Sequence, residues 1–358
     1  MVHPGRGGVT VRARGAFFAA LLVLLFVGFL RTSPAQAPAA SGRASGEIEA
    51  YFTRPNLDGL PALRGGPAEA LARAIDAAQR SVDMAIYRLD LDRVREALLA
   101  AHRRGVAVRL VVESDNLDEP AIHALLAAGV PVVGDGGDAL MHDKFTVIDG
   151  SEVWTGSMNY TVGDAYFNDN NLLRLVGADL AEAYRQEFDE MFQGEAFGAF
   201  SLPSEGRRLE LGDGTTVEVY FAPDDRPLER LVTLVGDARQ RIDFLAFAFT
   251  SAELAQAMIE RSQEGVAVRG VLDAGQAANL ASQWEALRAA GLDVRLDGNP
   301  DHMHHKVIVI DAGVVVTGSY NFSRNAETLN DENLVVLHDP ALARLFLEEI
   351  DRVYERAQ

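Results

Sequence analysis

The chain repeats a block of its own sequence at a spacing of 162 residues, and this repeat constrains the fold more than any other feature. Residues 141–175 match residues 303–337 at 16 of 35 positions without a gap. Both copies carry a His-x-Lys-x4-Asp segment that is followed by Gly-Ser-x-Asn. A spacing this long exceeds the roughly 20–50 residues of solenoid repeats, so it indicates a duplicated domain. The sequence therefore predicts two related halves.

Each half alternates helical and strand patterns, which is typical of an α/β sandwich in which helices cover a sheet on both sides. In the first half the periodicity predicts helices over 67–80, 91–104, 119–128 and 180–192, and strands over 82–87, 107–113, 145–149 and 152–155. In the second half, 242–249 and 307–310 are nearly continuous apolar runs, as expected for strands covered on both faces. Thr250 and Glu253 have the spacing of a helix-starting capping box.

Composition divides the chain into segments. We predict a first domain over 47–200, a second domain over 217–358, and a linker rich in Pro, Gly and charged residues over 201–216. Equivalent strands of the two domains are expected to be related by a pseudo-twofold axis, with one active site between them.

The first 40 residues have the order of an export signal, because three arginines precede an uncharged apolar run over 16–30 and small residues follow it. At about 1.5 Å per residue the run spans about 22 Å, shorter than the roughly 30 Å hydrocarbon core of a bilayer. We therefore predict that residues 1–39 are a cleaved signal peptide, with a membrane anchor at 16–30 as the alternative. The protein is predicted to be exported, either to a periplasm or to the medium.

The repeated motif gathers polar side chains at the ends of apolar strands. Because side chains alternate along a strand, His142 and Lys144 share one face. Gly156 permits close backbone approach before Ser157 and Asn159. Two copies around a pseudo-twofold axis would present two imidazoles, two ammonium groups, two hydroxyls and two amides toward one point. Such a set suits a tetrahedral anion, and histidine can act as a nucleophile or as a proton donor.

Lysine occurs in this chain only within the motif. Of 33 basic residues, Lys144 and Lys306 are the two lysines and all others are arginine. An arginine-rich chain that keeps lysine at two equivalent positions indicates a need for a compact point charge. Asp149 and Asp311 complete the motifs and are candidate catalytic residues. Each also precedes a turn, so a turn-forming role competes with a catalytic one.

A metal site is the main chemical alternative, because the segment 301–305 is rich in histidine and clustered imidazoles and carboxylates bind zinc. The first copy has no matching extra histidines, however, and a lysine within the cluster repels a cation. The chain has no cysteine, which excludes disulfides, thiolate metal sites and cysteine nucleophiles. We therefore expect neither a metal nor another cofactor.

The paired motifs resemble the signature of the phospholipase D superfamily, and the similarity extends over nearly all of 47–358. Tyr51-Phe52 and Tyr220-Phe221 also resemble the strand that opens each half in bacterial members. The resemblance implies two α/β halves around one site, metal-independent phosphodiester cleavage, and a phosphohistidine intermediate resolved by water or an alcohol. It implies these roles by position: His142 as nucleophile, His304 as general acid, and phosphate contacts from Lys144, Lys306, Asn159 and Asn321, supported by Ser157 and Ser319.

Members of this superfamily often have an acid after the second strand that pairs with the histidine. Glu332 fits that position in the second half, whereas the first half has Asn170. We predict that Glu332 pairs with His304 and raises its pKa, while Asn170 orients His142 without adding charge. Two further side chains compete with Asn170 for this contact: Asp164 and Asp169.

Charge narrows the choice of substrate. Acidic residues outnumber basic ones 52 to 33, the net charge is −19, and no basic run exceeds two residues. This disfavours binding along polyanionic nucleic acid, so we predict a phospholipase D-type phosphodiesterase that cleaves phospholipid head groups. The alternatives are a nuclease acting on DNA or RNA and a phosphatidyltransferase that makes phospholipids. A non-enzymatic binding module is disfavoured because no motif residue is missing. With two motif copies in one chain, a monomer is expected.

Overall fold

Each half of the chain forms a mixed β-sheet with helices on both faces. The computed structural model describes residues 41–43, 47–57, 59, 61–137, 139–202 and 204–358. The predicted signal peptide or anchor lies outside these residues. Among the helices that are described, none is long and apolar enough to cross a membrane.

The first half runs from β1 to α5. Its elements are β1 (Ser41–Arg43), β2 (Ile48–Phe52), α1 (Gly66–Ala77), β3 (Ser81–Ile86), α2 (Asp92–Arg103), β4 (Ala107–Val112), α3 (Pro120–Ala127), β5 (Val132–Gly134), β6 (Lys144–Ile148), β7 (Glu152–Gly156), α4 (Val162–Tyr166), β8 (Asn171–Val176) and α5 (Ala178–Gly194).

The second half repeats this order, with a short α-helix in the place of the single 3₁₀ turn Ser114–Asn116 of the first half. Its elements are β9 (Arg207–Glu210), β10 (Thr216–Ala222), α6 (Pro227–Gly236), β11 (Arg241–Ala246), α7 (Ala252–Gln263), β12 (Ala267–Leu272), α8 (Ala274–Ala277), α9 (Trp284–Ala289), β13 (Asp293–Leu296), β14 (Lys306–Ile310), β15 (Val314–Gly318), α10 (Arg324–Thr328), β16 (Glu332–His338) and α11 (Pro340–Arg356).

The two sheets have the same strand order. Within the described residues each has eight strands, arranged β1-β2-β8-β7-β6-β3-β4-β5 and β9-β10-β16-β15-β14-β11-β12-β13. Strands β3, β4 and β5 are parallel to each other, as are β11, β12 and β13, while the remaining neighbours are antiparallel. This confirms the predicted duplication of an α/β fold.

Apolar periodicity explains how helices cover the sheets. In α2 the buried residues Val94, Ala97, Leu98 and Ala101 recur at helical spacing, so one face of the helix packs on the core. All five residues of β6 are buried, because this central strand lies between β3 and β7 and is covered on both faces.

A shared core joins the two halves. Helix α5 packs on β3, β4, β6 and β7, and α11 packs on β11, β12, β14 and β15. Both helices belong to one buried apolar cluster that includes residues of both sheets, and α11 also contacts β1 and β2. The face of each sheet that is covered by α5 or α11 is therefore part of one apolar core. This core fixes the position of one half relative to the other.

The segment 201–216, predicted as a linker, contains β9, which pairs with β10 as the edge strand of the second sheet. One local prediction is corrected. Helix α7 is capped by Ser251, whose hydroxyl accepts a hydrogen bond from the Leu254 backbone, and not by Thr250. The Thr250–Glu253 pattern matched the capping box in spacing but was offset by one residue from the true N-cap.

Candidate active site

The two motifs meet where the halves touch. Lys144 and Lys306 are the first residues of β6 and β14, so the histidines lie just before these strands. Short parallel bridges join Met141 to Asp331 and Met303 to Asp169, from opposite halves. The backbone nitrogen of His142 donates to the Asp331 carbonyl at 2.9 Å, and that of His304 donates to the Asp169 carbonyl at 2.9 Å. Each histidine is thus positioned by the backbone of the other half.

Two carboxylates, not identified from the sequence, hold the preceding residues. Glu113 accepts a hydrogen bond from the Met141 backbone at 2.8 Å, and Asp273 accepts one from the Met303 backbone at 3.2 Å. Both follow the second parallel strand of their half and align with each other at a shift of 160 residues. Burial raises the pKa of Glu113 to about 7. Comparing the repeats upstream of the motif would have identified this acidic pair.

The two lysines are buried at the base of the site. Lys144 Nζ donates to the His142 carbonyl at 2.7 Å, and Lys306 Nζ donates to the His304 carbonyl at 2.9 Å. Burial lowers the pKa of Lys144 to about 8 and lowers that of Lys306 as well. Both ammonium groups retain donors for an anion, because a lysine has three and one is used here.

An aromatic ring stands beside each histidine and lysine, and the sequence reasoning missed both rings. Tyr87 lies 5.0 Å from the His142 ring and 5.2 Å from Lys144 Nζ. Phe247 lies 4.5 Å from the His304 ring and 4.7 Å from Lys306 Nζ. Rings at these distances restrict the imidazoles and contribute cation–π attraction. Both directly follow the first parallel strand of their half.

The predicted pairing of the histidines is wrong, because the contacts cross between halves. His142 Nδ1 lies 2.7 Å from Glu332 Oε2, and His304 Nδ1 lies 3.0 Å from Asn170 Oδ1. The bridge between Met141 and Asp331 places the start of β16 beside the first motif, so Glu332 faces the histidine of the other half. The alignment identified the residues correctly but assumed contacts within one half.

The neighbours of His304 form a separate network. Asn170 Oδ1 also accepts a hydrogen bond from Ser157 at 2.8 Å, and its amide nitrogen donates to Asp164 Oδ1 at 3.1 Å. Asp164 Oδ1 itself lies 3.6 Å from His304 Nδ1. Since Asn170 Oδ1 is an acceptor, His304 Nδ1 carries the proton and Nε2 is left for substrate. Of the two competing aspartates, Asp164 reaches His304, whereas Asp169 pairs with Arg352.

Electrostatics favour neutral imidazoles before substrate binds. Burial, followed by the charges of Lys144 and Lys306, lowers the pKa of His142 well below its usual value. Burial and the same lysines also lower the pKa of His304. Burial raises the pKa of Glu332 to about 8, against the opposing effect of the lysines. A neutral imidazole has the free lone pair that a nucleophile requires.

The Gly-Ser-x-Asn segments play two different roles. Ser157 and Ser319 are fully buried, and each hydroxyl accepts from the backbone of the opposing strand, at Asn171 and Asn333. We therefore assign these serines to positioning instead of the predicted phosphate contact. A Cβ at Gly156 would lie 2.5 Å from the Asn171 carbonyl oxygen, which explains the glycine.

Asn159 and Asn321 remain predicted phosphate ligands. In the described part of the chain, the buried Oδ1 atom of each has no hydrogen-bond partner. An amide oxygen only accepts hydrogen bonds, so a phosphate oxygen is contacted through the Nδ2 donors of these side chains and not through Oδ1. Both asparagines occupy equivalent places after the serines.

Asp149 and Asp311 are structural, which corrects their prediction as catalytic residues. They follow the far ends of β6 and β14, about 16 Å from the lysines at about 3.3 Å per residue. The Asp149 carboxylate accepts hydrogen bonds from the backbone of Gln79, Arg80 and Ser81 at 2.6–3.1 Å. Asp311 accepts the equivalent three at 2.7–3.0 Å. Each carboxylate thus closes the turn before the first parallel strand.

A buried polar layer beneath the histidines differs between the halves. Asn333 donates to Asp143 at 2.7 Å, while Asn171 lies 3.0 Å from His305 Nδ1. His305 Nε2 in turn lies 3.1 Å from Glu349. His305 is therefore occupied within the core, and His302 contacts Asp273 at 3.3 Å. Within the described ranges, no three His, Asp or Glu residues form a group that would hold a metal ion.

Comparison with known proteins places this chain in a family. The family model described as "Cardiolipin synthase, PLD-like domain" matches residues 71–192 and 231–354. These matches cover most of the chain, so the chain belongs to the PLD-like family of the phospholipase D superfamily, and it contains two copies of the domain.

Individual relatives agree over parts of the chain. The mitochondrial cardiolipin hydrolase of Homo sapiens is 41% identical over 129 residues, which is 36% of this chain and 51% of that protein. A phospholipase D of Rickettsia conorii is 32% identical over 132 residues, 37% of this chain and 66% of that protein. The chain thus spans about half to two thirds of the length of these relatives. The phosphatidylserine synthase of Haemophilus influenzae Rd KW20 shares the fold, with a TM-score of 0.61, 13% identity and coverage of 81% of this chain and 84% of that one.

Proposed function

We propose that this protein is a metal-independent phosphodiesterase of the phospholipase D type that hydrolyses phospholipids. The observation that carries the proposal is the meeting of two imidazoles and two buried lysines from opposite halves around one point. The names of the relatives, a cardiolipin hydrolase and a phospholipase D, support lipid as the substrate class.

His142 is the nucleophile in this proposal. Its Nε2 attacks phosphorus, a P–N bond forms, and the P–O bond to the leaving alcohol breaks. The ring then carries a positive charge, which lowers the raised pKa of Glu332, and the ionised Glu332 at Nδ1 stabilises that charge. The expectation that a neutral side chain, Asn170, orients His142 does not hold, because Glu332 contacts this ring. The role is retained because the carboxylate lies next to the ring that becomes cationic.

His304 is the general acid and then the general base. It gives a proton from Nε2 to the leaving alkoxide, and in the second step it takes a proton from water. That water attacks phosphorus and the P–N bond breaks, which restores His142. A bound phosphodiester brings one negative charge between the lysines, and this charge favours the protonated form of His304 before the first step. The products are a phosphatidic acid and a free alcohol.

Phosphate contacts come from Lys144, Lys306, Asn159 and Asn321. The lysines supply charge at the base of the site, and the amides supply neutral donors. Together they stabilise the negative oxygens of the five-coordinate transition state.

A substrate panel in EDTA tests the proposal. Phosphatidylcholine, cardiolipin, single-stranded DNA and double-stranded DNA are supplied after exhaustive chelation, and release of alcohol or nucleotide is measured. We expect phospholipid hydrolysis that is unchanged by EDTA, because lysines carry the role of a metal. Activity on DNA alone, or activity that returns only on addition of a divalent metal, would contradict the proposal.

Export of the protein and its function as a monomer are part of the same proposal. The order of charges and apolar residues over 1–40 supports export. Cell fractionation, with N-terminal sequencing of the exported form, tests both export and cleavage of residues 1–39.

A further inference from the structure

Exposed apolar side chains concentrate at the end of the molecule that carries the active site. Among the described residues, the large hydrophobic side chains that are exposed are Leu63, Leu126, Phe200, Leu202, Leu280 and Leu329. Single exposed hydrophobic residues are ordinary on protein surfaces. Their distribution over the fold is therefore the informative feature.

Three of them lie beside the residues that position His142. The backbone nitrogen of Gly198 and the hydroxyl of Ser201 donate to the side chain of Asp331, whose carbonyl holds the His142 backbone. Phe200 and Leu202, exposed by 84% and 64%, flank Ser201. Leu329 precedes Asp331 by two residues. A Cβ at Gly198 would lie 2.5 Å from the carbonyl oxygen of Leu329, so the two segments are in close contact. These three residues thus lie beside one edge of the site.

Two more lie on loops at the same end. Leu280 follows β12, whose carboxyl end carries Asp273 beside the second motif. Leu63 precedes α1, and α1 runs from this end toward the turn closed by Asp149. We name Leu63, Phe200, Leu202, Leu280 and Leu329 the apolar rim. Leu126, near the end of α3 that leads away from the site, does not belong to it.

Two loops of the apolar rim, those that carry Phe200 with Leu202 and Leu280, lack charge, whereas Leu63 precedes Arg64 and Leu329 lies between Glu327 and Asp331. Residues 196–204 and 274–283 contain no Asp, Glu, Lys or Arg, although such residues make up 24% of the chain. The first-half loop in the place of 274–283 instead carries Asp115, Asp118 and Glu119. The absence of charge from 274–283 is therefore not a general property of the loop that follows the second parallel strand.

We propose that the apolar rim is a membrane-docking surface that inserts into a bilayer of net-neutral, zwitterionic phospholipid and places the active site at the head groups. Side chains on separate loops do not form the continuous patch that a protein partner buries, whereas a fluid bilayer fills the space around each of them. An acidic chain of net charge −19 is repelled by anionic surfaces, so a neutral surface is the matching partner.

This inference deepens the proposed function and rests on it for its biological purpose, but its test is independent of catalysis. The chain has no cysteine, so a single introduced cysteine can be labelled with an environment-sensitive fluorophore without background. Full-length Phe200→Cys, Leu280→Cys and Leu126→Cys proteins are labelled and mixed with phosphatidylcholine vesicles. We expect a blue shift and a rise in emission at 200 and 280 but not at 126. No response at 200 and 280, or an equal response at 126, would overturn the proposal.

Activity on two physical forms of one lipid gives the second measurement. The double variant Phe200→Ser/Leu202→Ser and the control Leu126→Ser are assayed on vesicles and on a short-chain phosphatidylcholine below its micelle concentration. Loss of two inserted side chains should lower kcat/KM on vesicles by about tenfold or more, and leave the rate on monomeric lipid unchanged. Leu126→Ser should match the unmodified protein in both assays.

The two measurements separate the two proposals. If neither form of lipid is hydrolysed while the labels at 200 and 280 still respond to vesicles, the proposed function fails and the docking surface stands. If the double variant hydrolyses vesicles as fast as the unmodified protein, the docking surface fails and the function stands. If a second copy of the chain covers the apolar rim instead, the protein forms a concentration-dependent dimer that the double variant abolishes, and the labels do not respond to vesicles. This result would also overturn the proposed docking surface.

Discussion

Glu332 is the residue that distinguishes the two histidines. It contacts His142 directly, whereas His304 contacts the neutral amide of Asn170 and has the Asp164 carboxylate only at 3.6 Å. The two imidazoles therefore differ in how well they accommodate a lasting positive charge. This asymmetry assigns the covalent role to the ring with the direct carboxylate.

Exchanging the two partners tests this assignment. Glu332→Gln should lower kcat by about 10²–10³-fold, because the phosphohistidine loses its balancing charge while its Nδ1 keeps a hydrogen-bond acceptor. Asn170→Asp should raise the pKa of His304 and shift the corresponding limb of the pH–rate profile upward. The profiles of both variants and of the unmodified protein are compared. If Asn170→Asp rather than Glu332→Gln abolished the covalent intermediate, the roles would be reversed.

Asp149 is a single residue that affects the stability of the fold instead of catalysis. Burial opposes its ionisation, but backbone hydrogen bonds from Gln79, Ser81 and Arg80 lower its pKa below the usual range. A lowered pKa means that its contribution is present above about pH 4 and is lost as pH falls through the folded-state value. Asp149→Ala should reduce the free energy of unfolding by about 1–3 kcal/mol at pH 7, with kcat nearly unchanged. Urea unfolding and a kinetic assay check this, and a large loss of kcat in a folded variant would contradict it.

At the scale of elements, the helices α5 and α11 occupy equivalent places but carry different buried charges. Glu349 on α11 pairs with Arg352, Arg54 and His305. Burial alone would raise its pKa, but hydrogen bonds from Arg352 and His305 lower the pKa of Glu349 to about 2. Glu187 on α5 aligns with Glu349 at the 162-residue shift, and within the described ranges no ion pair joins it to a basic side chain. Burial, and then the charges of Asp143, Glu190, Asp331 and Asp224, raise the pKa of Glu187 well above 4.5.

This difference predicts opposite effects of two matched substitutions. Because the folded-state pKa of Glu187 is raised, its contribution to stability is complete below the unfolded-state pKa and is lost as pH rises through the folded-state value. Glu187→Gln should therefore raise the free energy of unfolding at pH 8 by about 1–2 kcal/mol and flatten its pH dependence. Glu349→Gln should lower it by about 3–5 kcal/mol, since Arg352, Arg54 and His305 lose the buried carboxylate that they share, although Asp169 still pairs with Arg352. Equal effects of the two substitutions in urea unfolding at pH 8 would contradict the account.

At the level of helices and strands, the sequence predicted the fold but not the contacts between the two halves. The repeat and the apolar periodicity predicted the duplicated α/β fold, because the positions of helices and strands and their buried faces follow from local sequence pattern. They did not predict that Glu332 contacts His142, since hydrogen bonds between halves join residues 190 positions apart that no alignment of repeats pairs. Tyr87 and Phe247 were not predicted as site residues. They are different residue types, so the comparison of the repeats does not pair them as identical, and they directly follow apolar strands without a polar residue that would mark a site.

At the scale of the whole molecule, the site exists only where both halves meet within one chain. The shared core and the bridges between Met141 and Asp331 and between Met303 and Asp169 join the halves. One chain therefore supplies both histidines.

Mixing two inactive variants tests whether the site is built within one chain. His142→Ala and His304→Ala proteins should each lose hydrolysis of natural lipid by at least about 10³-fold, and an equimolar mixture should remain inactive. Restored activity in the mixture, at concentrations where the proteins associate, would show that halves from different chains form sites. Fluorescence or circular dichroism confirms that both variants are folded.

Trapping of the covalent intermediate tests the central claim most directly. Quenched-flow mixing with a phosphate-labelled ester that has an activated leaving group, followed by peptide mapping, identifies the labelled residue. We expect the label on His142 in the unmodified protein, label also in His304→Ala because such a leaving group needs little acid help, and no label in His142→Ala. Label on His304 in the unmodified protein, or an intermediate that survives His142→Ala, would contradict the account.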